Sequence, residues 1–182
     1  MLLLAVIATA VGGLLAREVY EGPSTAAPPA VQPSPSAVPE VEQPGSTTVD
    51  GTPEAVSHPV YEDIRAVLQT NFDAINAKDY DMWRRVVTAE RVETMNREKW
   101  LMDFGTSQDG TIVIYRIELR GEAEAVVLLK FTSVQAPDKA PPELPVKCIL
   151  WNVVYPMVKE NGDWKLAPGK TSSAPLLEAC PT

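Results

Sequence analysis

Cysteine and histidine are the residue types that most often bring chemistry of their own, and this chain is sparing with both: Cys148, Cys180 and His58. Two thiols in an exported domain favour one structural disulfide. Such a bond would tie the C-terminal segment back to the middle of the chain. In the chain-entropy model, closing a loop of roughly 33 residues is worth about 3–4 kcal/mol. In a reducing compartment the same residues would stay free thiols. His58 stands directly before Pro59, ahead of the first helical pattern, and reads as a helix-entry residue rather than a general base. One histidine and two cysteines are too few for a zinc cluster. The chain has no Gly-rich phosphate loop and no nucleophile elbow. No metal and no cofactor is expected.

The elements that must position any site begin at residue 60. In VYEDIRAVLQTNFDAINAKDYDMWRRVVT, Ile64, Val67, Leu68, Asn71, Phe72 and Ile75 recur every three or four residues, the period of one helix face. Glu62 and Asp63 suit its first turn, and the helix should end near Lys78. Asp79 is then an N-cap for a second, short helix. Residues 90–104, ERVETMNREKWLMDF, form a third helical stretch with a break expected near Asn96 and a stop at Gly105.

The pattern then turns to strands. Residues 111–119 (TIVIYRIEL), 123–134 (AEAVVLLKFTSV) and 146–159 (VKCILWNVVYPMVK) are rich in β-branched and aromatic side chains. Pro156 cannot donate to a ladder and so marks an edge or a bulge. Glu160-Asn161-Gly162-Asp163 is a strong hairpin turn into a last strand beginning Trp164-Lys165-Leu166. The proline-rich residues 136–145 read as a loop, and those from Pro168 onward as a tail. Three helices followed by about four antiparallel strands is an α+β plan, with the helices on one face of a curved sheet.

The net charge is −8, and the first 59 residues carry six acidic side chains against Arg17 alone. An acidic chain argues against a nucleic-acid partner, which needs Lys and Arg for phosphates. Residues 2–16, LLLAVIATAVGGLLA, hold no charge and precede Arg17. Fifteen residues are short of the roughly 20 needed for a membrane span. They suit a signal core, yet the positive n-region is missing. An uncleaved anchor, a cleaved signal and a buried helix all remain open, with the natural start expected upstream. Residues 21–57 contain eight prolines and no Trp, Phe, Leu or Ile, the composition of a disordered spacer. The expected organisation is therefore 1–20 signal or anchor, 21–57 linker and 58–182 folded domain.

The stretch NFDAINAKDYDMWRRVVT resembles the first helix, acidic turn and second helix of the nuclear transport factor 2-like superfamily. VVYPMVKENGDWKLA resembles its closing hairpin, where a Gly-x-Trp-x-aliphatic strand seals the core. The resemblance spans residues 60–168. It implies a cone: a highly curved sheet wrapped around the long helix, with an apolar pocket at the open end. The family contains isomerases, dehydratases, cyclases and non-catalytic binding modules, so fold alone does not assign function. Its catalytic members pair an Asp or His base with a Tyr or Asp acid. Asp103 and Tyr115 are the one such pair proposed from this chain, although Asp103 falls near an exposed helix end. Trp83, Trp100, Tyr115 and Trp151 are candidate pocket walls, with ordinary core packing as the competing role.

The function expected is a non-catalytic binding module outside the cytoplasm of a bacterium, membrane-anchored or secreted. It would hold a small apolar ligand in the cone, or an envelope protein on the sheet face. The alternatives are an isomerase- or dehydratase-type enzyme with an unrecognised pocket carboxylate, and a structural subunit pairing with a second copy through its sheet.

Overall fold

The computed structural model describes residues 42–169 and 174–181. The signal or anchor segment, and the linker up to residue 41, lie outside the described residues. Among the described residues the architecture is α+β, with five α-helices and a strongly curled, open six-stranded sheet. The helices are α1 (Pro53–Val56), α2 (Tyr61–Ala77), α3 (Tyr80–Trp83), α4 (Ala89–Thr94) and α5 (Arg97–Phe104). The strands are β1 (Val49–Gly51), β2 (Gln108–Leu119), β3 (Glu124–Val134), β4 (Cys148–Glu160), β5 (Asp163–Leu166) and β6 (Leu176–Ala179). Among the described residues no helix is long and apolar enough to cross a membrane.

Helix α2 follows its periodicity and buries Ile64, Leu68, Phe72 and Ile75 against the sheet. It stops where Lys78 turns left-handed at φ 58°. The short helices that follow are each set by a side-chain cap that satisfies an otherwise orphaned N–H. Asp79 accepts from the Met82 N–H at 2.9 Å, Thr88 from Arg91 at 3.3 Å and Asn96 from Lys99 at 2.9 Å. The break expected near Asn96 thus separates α4 from α5. The turn at Asn161 and Gly162 has both residues at positive φ, as a tight hairpin requires.

Three expectations need correction. The linker was drawn to residue 57, yet residues 49–57 belong to the folded domain. Val49 is buried, β1 pairs in parallel with β2, and the Arg116–Glu54 ion pair at 3.1 Å ties α1 to the same strand. Valine and alanine suffice for burial here because α2 and β2 already supply the apolar surface. The sheet has six strands instead of about four, and its first pair is parallel. The tail also contributes: β6 pairs antiparallel with Ile149–Asn152 of β4 and is bonded through Cys148 and Cys180, whose Cα atoms are 5.4 Å apart. The expected disulfide is therefore present. β4 shares one edge between β6 and β5, and Pro156 falls in the gap between them, where a missing N–H costs no ladder bond.

The curl of the sheet arises mainly in β2. Its register with β3 shifts between Gly110 and Val113 and again between Ile114 and Arg116, and such bulges bend a strand and sharpen its twist. Thr111 sits there at φ 49°, an unfavourable conformation for a β-branched residue. It is held by its N–H to the Ser46 carbonyl and its hydroxyl to the Pro44 carbonyl, both at 2.7 Å.

Candidate functional site

Curling lifts the sheet away from the helices and leaves a cavity of about 520 Å³. Ile75 of α2, Phe104 of α5, Phe131 of β3 and Trp151 and Val153 of β4 form its apolar walls. Trp151, Val153 and Tyr155 alternate along β4 and so share its inner face. Phe131 and Trp151 stack with centroids 5.8 Å apart and planes 4° from parallel. The proline-rich loop after β3 lines the mouth with Ala140, Pro141 and Pro142.

Polar groups enter from two ends. At one, Asp109 lies opposite Ser133 in the β2–β3 register, and both are buried. The clamp that places Asp109 is built by the C-terminus of α2. The Asp109 N–H donates to Asn76 Oδ1 at 2.7 Å, and Asn76 Nδ2 donates back to the Asp109 carbonyl at 2.9 Å. The Lys78 ammonium donates to the carbonyls of Ile75 and Ser107 beside it. Burial raises the Asp109 carboxyl to about 6, against opposing effects of the Ser133 hydrogen bond and the Lys78 charge. Burial in turn lowers Lys78, with Asp109 opposing. Ser133 Oγ donates to Gln135 Oε1 at 3.1 Å, and Gln135 is also buried.

At the other end stand Tyr155 and Arg91. Tyr155 lies near enough to both charged groups to feel Arg91 and Asp109. Burial pushes the Tyr155 phenol up to about 12, with Arg91 opposing and Asp109 adding to the rise. Burial lowers Arg91, whose guanidinium carbon lies 5.7 Å from the Trp83 ring centroid.

Of the four side chains expected as pocket walls, Trp151 alone lines this cavity. Trp83 and Trp100 are wholly buried and pack with Tyr80 at centroid distances of 5.5–5.9 Å. Tyr115 is on the outer side of the sheet, beside Leu128, Lys130 and Val154. The inner positions of β2 are Ile112 and Ile114 before its second bulge and Ile117 after it, so Tyr115 falls outside the inward set. Asp103 is exposed at the cavity rim, and the imagined Asp103–Tyr115 pair is not assembled. Asp109, Tyr155 and Arg91 were missed. Asp109-Gly110 has the composition of a turn, Tyr155 reads as one more strand aromatic, and Arg91 as a polar position on a short helix. No local signal marks any of them as buried.

No family model matches the chain, and no curated protein matches it. Among solved structures it is similar to a SEC-C motif containing protein from Rhodopseudomonas palustris, known from a solution structure. Identity is 14%, the match covers 58% of this chain and 76% of that one, and the TM-score is 0.47. Among the described residues no cluster of His, Cys, Asp or Glu is arranged to hold a metal ion.

Proposed function

We propose that this domain is a binding module of the nuclear transport factor 2-like kind, holding a small, mainly apolar ligand between its curled sheet and its helices. The observation that carries the reading is the 520 Å³ cavity, walled by Phe131, Trp151 and Ile75, with polar and charged groups set among its apolar lining. Ligand sites have this size and this balance of apolar wall to polar anchor. The Cys148–Cys180 bond supports placing the domain outside the cytoplasm, because such bonds persist in oxidising compartments. An anchor or signal in residues 1–20 would deliver it there. A reporter active only outside the cytoplasm, fused after residue 57, should then be active, and a silent fusion argues against export.

The binding test uses the full chain. Calorimetric titration with small apolar probes should give saturable binding. Val153→Trp, which fills the cavity from β4, should abolish binding while leaving the circular dichroism spectrum unchanged. Binding that survives in that variant places the ligand elsewhere.

Asp109 favours a second reading. A carboxyl raised to about 6 in an apolar pocket is suited to moving a proton next to a carbonyl, as the isomerase-type members of the resembled family do. Incubation of the chain in heavy water with a panel of enolisable ketones should then show deuterium uptake, lost in Asp109→Asn. Uptake that persists in the variant removes Asp109 from that role.

A further inference from the structure

Four charged side chains line the cavity: Arg91, Lys139, Asp103 and Asp109. Among the described residues, the buried side-chain polar atoms without a partner are all N–H groups, and two of them, Gln135 Nε2 and Trp151 Nε1, lie just behind the cavity surface. Arg91 adds a cation. Arg65, Arg84, Arg97 and Arg116 each sit within ion-pair distance of a Glu or Asp. Arg91 is half-buried against the cavity, and no carboxylate among the described residues stands within that distance. Its neighbours are the Trp83 ring face and the Tyr155 phenol.

The carboxylate at the other end does not offset this cation. Asp109 sits opposite Ser133 and feels the Lys78 charge. Asp109 therefore already has a cation beside it, whereas an anion near Arg91 would give a partner to a desolvated charge that has none among the described residues. The apolar body of such a ligand has a flat surface to lie on, the stacked Phe131–Trp151 pair.

We propose that the cavity selects small amphipathic carboxylates, with the anionic head on Arg91 and Tyr155 and the apolar body along Phe131 and Trp151. This rests on the ligand-binding reading above and names its ligand class. A bidentate Arg–carboxylate contact gives both charge recognition and direction. The phenol of Tyr155 stays protonated at neutral pH and adds a donor on the same side.

The test is calorimetric titration of the full chain at pH 7.5 with two matched series. One is 4-phenylbutyrate, 4-phenylbutan-1-ol and 4-phenylbutylamine; the other is octanoate, octan-1-ol and octylamine. Each carboxylate should bind at least tenfold tighter than its alcohol, with the amine weakest. Arg91→Gln should bring the carboxylate to the level of the alcohol and leave the alcohol unchanged. Arg91→Lys should restore part of the preference, and Tyr155→Phe should weaken the carboxylate several-fold; these two variants carry the test if Arg91→Gln does not fold. An alcohol or amine that binds as tightly as its carboxylate overturns the proposal while the ligand cavity stands. A carboxylate preference that survives in Arg91→Gln also overturns it. Failure of all six probes to bind overturns the ligand-binding reading and this proposal with it.

Discussion

Two aromatic groups flank the same helices and are put to opposite uses. Tyr80, Trp83 and Trp100 come from α3 and α5, touch one another, and leave Trp83 and Trp100 with no exposed surface. Phe131 and Trp151 come from the curled sheet and stack on each other; Phe131 is buried, and Trp151 beside it is half-buried on the cavity wall. In the first group the capped breaks at Asp79 and Asn96 fold short helices back so that the rings fill their own volume. In the second, Phe131 still packs edge-on against Phe72 of α2 at 5.1 Å, and Trp151 beyond it becomes a cavity wall. Aromatic content therefore does not distinguish a core from a pocket; the backbone curvature beneath the rings does. The polar company differs as well. The Tyr80 hydroxyl donates to the Met95 carbonyl at 2.8 Å, whereas Gln135 Nε2 on the cavity side is left without a partner.

The largest test of this contrast is a pair of truncations. Trp100→Ala should cost about 3–5 kcal/mol in denaturant unfolding, because it empties a packed site. Trp151→Ala should cost less than half of that, since one side of the ring already faces a void. Equal costs would mean that the cavity is packed in solution.

The next effect concerns the strand that carries the cavity wall. Cys148 and Cys180 fasten β6 to the start of β4, just ahead of Trp151. Cys148→Ser with Cys180→Ser should lower stability by about 3–4 kcal/mol in the loop-closure model. Native-state hydrogen exchange should quicken at β6 before the aromatic cluster is affected. A uniform quickening across both regions would show that the tie serves the whole domain.

Asp109 gives a smaller effect with a definite sign. Its folded value of about 6 is above its ordinary 3.8, so the folded state holds the proton more tightly. This contribution is fully present below about pH 4 and is lost as pH rises toward and through 6, amounting to about 3 kcal/mol. Asp109→Asn lacks that loss. The stability difference, variant minus wild type, should rise between pH 4 and pH 7 and level off above. A flat difference would mean that the carboxyl is hydrated.

The smallest effect is expected on the outer face. Tyr115 is more than one-third exposed, and Tyr115→Ala should shift stability by within about 0.5 kcal/mol. A larger and concentration-dependent loss would point to a second copy covering the sheet.

Much of the fold was legible from local chemistry. The span of α2, the caps at Asp79 and Asn96, the hairpin at Asn161-Gly162 and the edge position of Pro156 each depend on a few neighbouring residues. The pairing of Cys148 with Cys180 followed from there being only two cysteines and an export-like N-terminus. What local chemistry could not supply was set by distant partners. Residues 49–57 look like linker because the apolar surface that recruits them belongs to α2 and β2. Tyr115 misses the inward set because the inner positions of β2 change phase at a bulge, which a two-residue alternation does not register. Asp109 becomes a buried acid only when Asn76, 33 residues earlier, clamps its backbone beside Ser133. Burial is a property of the assembled sheet and helix together; it turns Asp109 from an ordinary residue into part of a site, with Arg91 and Tyr155 half-buried on the same cavity.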